Sequence, residues 1–305
     1  MKQKLFVISR RCGRLANRLV LFANIIALAE ELRARVANPT FLSYSDLFET
    51  TRRDIYCRYP AAERPSLWDR LPGAAKFLRA TRLPYRVAQS ACALCEHFPG
   101  LSRRTLTLRE IPRVTTLLDS DEIQARLAGA DRVFIHGWRF RAPASVQRQA
   151  AALRDYFRPV PELLRQAESA VEPVRSRAGI LVGVHIRHGD YRTWKQGRFF
   201  FPSEAYARWM GSLKDQLAGS KAAFLVCSDE PRTREEFPGL EVGFGAKSAV
   251  ADLYALAKCD YIIGPPSTFT QWASFYGNRP LLYLESREEQ VALDRFKVSD
   301  LYRIP

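Results

Sequence analysis

The chain has 305 residues, a formal net charge of +15 and 47% hydrophobic residues, with 18 proline and 16 glycine. That length holds two domains of ordinary size, each with its own core, and excludes a short disulfide-stapled scaffold. The composition is that of globular proteins, which excludes wholesale disorder, and no fixed-period repeat or low-complexity tract interrupts it.

Leu5-Phe-Val-Ile-Ser9 is a short run of strand formers. After Arg10-Arg-Cys-Gly-Arg14, apolar residues recur at 15, 19, 22, 25, 26, 29 and 32, the spacing of a helix. The chain therefore opens as strand, glycine loop and helix. Leu19 to Leu32 is the longest apolar-rich stretch, but Asn24, Glu30 and Glu31 cut it short of the roughly 20 apolar residues that a bilayer span needs. No secretory signal is read before it. Residues 52 to 113 are basic and broken by proline, and they predict no clear element. Asp119-x-Asp121 is similar to the paired carboxylates that hold a metal for a sugar nucleotide. Within Leu118-Asp-Ser-Asp-Glu122 it reads as a helix start, so no metal is expected. Arg132 to His136 predicts a strand, and Ser145 to Tyr156 a helix ended by Arg158-Pro159.

From residue 179 the pattern is cleaner. Three apolar runs, 180–186, 222–227 and 259–264, alternate with helical stretches near 203–218 and 249–258. Continuous apolar strands between helices predict an α/β fold with a parallel sheet covered on both faces. Each run ends in a polar signature: His185 to Asp190, Ser228-Asp-Glu230 and Ser267-Thr-Phe-Thr270. In open α/β sheets ligands bind at the carboxyl ends of the strands, where all three signatures fall. The expected division is 1–176 and 177–305, at the charged stretch Arg175 to Gly179.

Charge divides in the same way. Residues 1–178 hold 31 Lys and Arg against 17 Asp and Glu, whereas residues 179–305 hold 16 against 15. The basic part is expected to face a membrane surface or a polyanion. Its arginines are mostly single, without a contiguous basic run or a nucleic-acid module, so no nucleic acid is expected as partner. The six cysteines, at 12, 57, 92, 95, 227 and 259, are scattered, which predicts reduced thiols and a cytoplasmic location. Cys92-x-x-Cys95-x-His97 is half a zinc knuckle and cannot close a tetrahedral site alone.

Arg187 is the candidate catalytic residue, because a guanidinium matches phosphate oxygens bidentately and suits a diphosphate that gains charge as it leaves. Strand alternation puts His185 on the same side, and Gly189 allows a tight turn. The bland alternative is an Arg187–Asp190 ion pair pinning that turn. Ser267 or Thr268 is the expected cap of a helix whose free N–H groups would hold an anion, with Phe269 beside them. The alternative is an ordinary cap with its aromatics packed inward. Asp229 is a candidate for a ribose or base edge, or a cap. Gly13 and Asn17 bring backbone amides and a side-chain amide to a sugar diphosphate, although the loop is neither a P-loop nor G-x-G-x-x-G.

With these residues in view, the chain resembles the fucosyltransferase superfamily of α-1,2-fucosyltransferases, nodulation and core α-1,6-fucosyltransferases, and protein O-fucosyltransferases. His185-Ile-Arg-His-Gly-Asp-Tyr191 is similar to the family's His-x-Arg-Arg-Gly-Asp-Tyr. Ser228-Asp-Glu230 and Ser267-Thr-Phe-Thr-Gln-Trp272 are similar to its second and third motifs, and Gly13-Arg-Leu-Ala-Asn17 to its Gly-x-x-Asn loop. The resemblance implies a GT-B-like architecture, two Rossmann-like domains facing a cleft. It implies metal-independent, inverting transfer of fucose from GDP-fucose, with no other cofactor. By the same resemblance Arg187 holds the diphosphate, His185 and Asp229 contact the nucleotide, and Ser267, Thr268 and Phe269 close around the phosphates.

The chain departs from the motif at His188, where the family has a second arginine; His188 is expected to tune the pH dependence through the diphosphate. Asp46, Asp155, His188, Asp190 and Glu204 remain candidates for a base. The acceptor is expected to be a glycan or lipid-linked glycan, met by Trp68, Trp138 or Trp194 unless these are core residues. The stretch Leu71 to Leu108, with Lys76, Arg79, Arg82, Arg86, Arg103 and Arg104 among apolar residues, is expected to lie on the inner face of a membrane. The alternatives are a transferase of the same fold using another nucleotide sugar, a basic nucleic-acid-binding protein, and a glycan-binding protein without turnover.

Overall fold

The computed structural model describes residues 3–63, 73–97 and 104–303. Two compact units divide between Val160 and Pro161, and the described residues from Asp300 on return to the first. The expected boundary at 176 and 177 lay beyond the helix Pro161–Arg175. That helix carries its buried Leu163, Ala167, Val171 and Val174 to the second unit, so the charged stretch after it is a connection inside that unit.

The first unit holds β1 (Leu5–Ile8), α1 (Leu15–Glu31), β2 (Arg35–Ala37), β3 (Arg58–Tyr59), α2 (Ala74–Thr81), α3 (Leu83–His97), β4 (Thr105–Arg109), β5 (Thr116–Leu117) and α4 (Asp121–Ala128). Then come β6 (Arg132–His136), β7 (Phe140–Arg141), α5 (Pro143–Arg148) and α6 (Ala150–Tyr156). Its main sheet runs β3-β2-β1-β6-β4, parallel except for the edge strand β3. The strand, glycine loop and helix read from residues 5 to 32 are present. The expected helix from Ser145 to Tyr156 is two helices with Gln149 between them. Phe22 of α1 packs edge-on against Tyr156 and Phe157, which centres this core on α1.

The second unit runs α7 (Pro161–Arg175), β8 (Ile180–Ile186), α8 (Ser203–Gln216), β9 (Ala222–Ser228), β10 (Val242–Phe244), α9 (Ala249–Ala257), β11 (Tyr261–Gly264), α10 (Thr268–Gly277) and β12 (Leu281–Tyr283). Its five strands are all parallel, in the order β10-β9-β8-β11-β12. Numbered along this unit, the order is 3-2-1-4-5, a doubly wound sheet that reverses direction between β8 and β11. Alternation sorts the faces of β8. Val182, Val184 and Ile186 enter a core with Tyr206, Trp209 and Met210 of α8. On the other face Gly183 lets α9 approach, since a Cβ there would stand 2.7 Å from Leu256 Cδ2.

Candidate nucleotide-sugar site

The reversal between β8 and β11 leaves a crevice mouth where the chains leaving both strands diverge. The loop after β8 supplies Arg187. Its Nε donates to Asp190 Oδ1 at 2.8 Å and stands 3.4 Å from Asp229 Oδ2 on the loop after β9. Burial opposes the charge, but Asp190 and Asp229 outweigh it and hold the guanidinium above its ordinary value. The side chain is 20% exposed. The turn-pinning ion pair is thus present, and it orients Arg187. Asp229 adds a second restraint by accepting the His188 N–H on Oδ1 at 2.8 Å.

His185 is buried and stacks on Phe269 at 4.7 Å and 22°. Burial, with Arg187 next, pushes its imidazole down to about 3, so it is neutral at physiological pH. Its Nδ1 is a buried polar atom with no hydrogen-bond partner, which marks the place where a donor or acceptor would be satisfied. Ser267 is the cap of α10, its Oγ accepting the Phe269 N–H at 3.0 Å, and Thr268 opens the helix. Tyr191 ties the two loops together by donating its hydroxyl proton to Pro266 O at 2.7 Å. His185, Arg187, Asp190, Asp229, Ser267, Thr268 and Phe269 are therefore all carried at the carboxyl end of one sheet.

His188 is placed otherwise than expected. Its ring is buried beside Phe200, Nε2 lies 2.6 Å from Phe201 O, and Nδ1 lies 2.5 Å from Arg232 Nη2. A carbonyl only accepts and a guanidinium only donates, so Nε2 carries the proton and Nδ1 receives one. Both ring nitrogens are used within the protein, so His188 packs into the second unit rather than presenting a ring nitrogen outward. Arg232, which sequence reasoning missed, is the hub of this network. It also donates to Ser228 Oγ at 3.2 Å, Glu230 Oε2 at 3.1 Å and Glu236 Oε2 at 3.2 Å. Arg192 meets both oxygens of Glu230, at 3.0 and 2.9 Å. A lone arginine after a loop proline gives no motif; only its spacing of four from Ser228 and Glu236 hinted at a shared turn.

Gly13 and Asn17 belong to the first unit. Gly13 has φ +58°, and a Cβ there would stand 2.0 Å from Asn17 Nδ2, so both the turn and the amide require glycine. Buried Arg18 staples this loop, donating to Gly13 O, to Thr40 O at 2.8 Å and to Ser43 Oγ at 2.9 Å. Of the base candidates, Asp46 and Asp155 lie in the first unit, Glu204 is in the first turn of α8, and His188 and Asp190 are on the loop after β8. Trp138 carries Arg139 and Arg141 against its ring, while Trp194 packs on Tyr191 and Phe199. Trp68 lies outside the described residues. Asp121 starts α4, and Asp119 accepts the Ala144 N–H. Among the described residues no three His, Cys, Asp or Glu side chains are grouped to hold a metal, and no disulfide joins the cysteines.

No protein-family model and no curated protein matches the chain. Solved structures do. The chain is similar to a mutant of Arabidopsis thaliana FUT1 in complex with GDP, at 14% identity and a TM-score of 0.54, over 94% of this chain and 72% of that one. It is similar to POFUT1 in complex with GDP-fucose at 11% identity and a TM-score of 0.50, over 92% and 95%. The fucosyltransferase NodZ from Bradyrhizobium aligns at 18% identity and a TM-score of 0.46, over 90% and 93%. At such identities the likeness is one of fold. The mixed α/β architecture, parallel sheets flanked by helices, is that of the GT-B fucosyltransferase structures, the superfamily that the four motifs resemble.

Proposed function

We propose that this chain is a glycosyltransferase that moves fucose from GDP-fucose to a hydroxyl of a glycan acceptor, with inversion and without a metal ion. The observation that carries the reading is Arg187, held by Asp190 and Asp229 at the strand-order reversal of a doubly wound sheet, with the capped α10 opening from the adjacent strand. In the reaction the acceptor oxygen forms its bond to the anomeric carbon as the bond to the diphosphate breaks. The electron pair leaves on the diphosphate, and the acceptor proton passes to a base or to solvent. Arg187 and the positive N-terminal end of the α10 dipole meet the charge that develops on the leaving oxygen, commonly the largest catalytic contribution. His185, kept neutral, and Asp229 are the nucleotide contacts. The fold match to structures holding GDP or GDP-fucose supports this donor.

Thermal unfolding with GDP, UDP, CDP and dTDP, each with EDTA and with magnesium, tests the donor. A ligand at 100 times its Kd stabilises by about 2.7 kcal/mol, a shift of several degrees. Selective stabilisation by GDP, undiminished by EDTA, is expected. Arg187→Ala is expected to fold and to lose at least ~10²-fold in turnover. Near-normal transfer by that variant would sink the assignment, and selective response to another diphosphate would change the donor.

A further inference from the structure

We propose that the helical hairpin of α2 and α3 is a docking surface for an anionic lipid bilayer, its apolar stripe entering the acyl layer and the exposed Arg82 and Arg86 beside it meeting headgroup phosphates. Two separate observations meet on this hairpin. The first is its outward apolar stripe. Leu83, Val87 and Leu94 are 45%, 59% and 52% exposed, and their spacing places them within about 40° of one another around α3. Cys92, on the opposite side, is buried, and Phe77 of α2 is 61% exposed. A helix at a protein surface normally turns its apolar stripe inward. Leaving such side chains half exposed forgoes hydrophobic stabilisation, so the stripe calls for a cover. Among the described residues no helix is long and apolar enough to cross a membrane; the hairpin would lie on the surface.

The second observation is uncompensated positive charge. Arg82, at φ +55°, joins the two helices and lines a groove with Arg11, Ser43 and Tyr85. Arg18 lies buried nearby, and its hydrogen bonds to Gly13 O, Thr40 O and Ser43 Oγ all go to uncharged oxygens. Burial, then the like charge of Arg11, pushes Arg18 down to about 10, with Arg82 adding to the repulsion. Among the described residues neither Arg11 nor Arg82 forms an ion pair. Exposed guanidinium groups without a paired carboxylate attract phosphate. Arg82 begins the turn into α3 and Arg86, exposed, lies about 60° from Leu83 around that helix, so positive charge borders the apolar stripe. The rest of the sequence 73–97 adds Lys76 and Arg79 against Glu96, the balance that an anionic leaflet attracts.

Sedimentation of the full chain with phosphatidylcholine vesicles, with and without phosphatidylglycerol, tests this. Binding is expected only with the anionic lipid and is expected to fall as salt shortens the Debye length below about 10 Å. The pair Val87→Ser with Leu94→Ser, and separately Arg82→Gln with Arg86→Gln, should each lower binding at least ~10-fold, a loss of about 1.4 kcal/mol. Stabilisation by GDP should persist in both, so failure here is distinct from failure of the proposed donor. Equal binding to both vesicles, no loss in either folded variant pair, or a dimer dissolved by Val87→Ser would overturn the proposal.

Discussion

Because His188 Nε2 donates to Phe201 O, its Nδ1 is left as an acceptor, and Arg232 fills it. An arginine at this position, as in the motif the chain resembles, would set a second guanidinium against Arg232, whose side chain is only 10% exposed. His188→Arg is therefore expected to cost about 2–4 kcal/mol, with a fall of several degrees in Tm. Undiminished stability of that variant would show that the ring does not position Arg232. A second buried group makes stability depend on pH. Burial raises the Asp252 carboxyl from 3.8 to about 6, although the Ala246 N–H donates to its Oδ1 at 2.6 Å. The folded value lies above the unfolded one, so this stabilising contribution is complete below about pH 4 and is lost as pH rises through about 6. Asp252→Asn keeps an oxygen for Ala246 and removes the charge. Urea unfolding should find it more stable than the parent by about 2–3 kcal/mol at pH 7 and equal below pH 4. An unchanged difference between those two pH values would locate the effect elsewhere.

Among the elements, legibility followed length and burial. β8 and β9 have seven residues each, read from the sequence as continuous apolar runs because both faces of the sheet are covered. The three-residue β10 and β12 carry too little pattern to separate from loops. The α2–α3 hairpin was illegible for a different reason: α3 turns Leu83, Val87 and Leu94 outward, so its periodicity does not mark a core face. Of the site, the three polar signatures were legible because each ends a strand. His188 was read as facing ligand, since its buried contacts come from Phe201 and Arg232, residues distant in sequence that only packing brings to it. Arg232 itself lies on a loop and carries no local signal.

At the scale of the molecule, the division observed at Val160 keeps the charge asymmetry. The first unit, with its returning 300–303 segment, holds 29 basic residues against 15 acidic, and the second holds 18 against 17. The near-neutral unit carries its polar site on its own sheet and core, with Arg187, Asp229 and Ser267 all inside 161–299. It follows that the proposed donor binding and the basic surface are separable. A fragment of residues 161–299 should unfold cooperatively and bind GDP within ~10-fold of the intact protein, a difference of no more than about 1.4 kcal/mol. It should show no transfer and no attachment to anionic vesicles. Calorimetric titration of the fragment and the intact chain in one buffer gives the comparison. Were a folded fragment to lose GDP binding altogether while the intact chain kept it, the first unit, with Gly13 and Asn17, would have to supply donor contacts that the strand-end cluster does not.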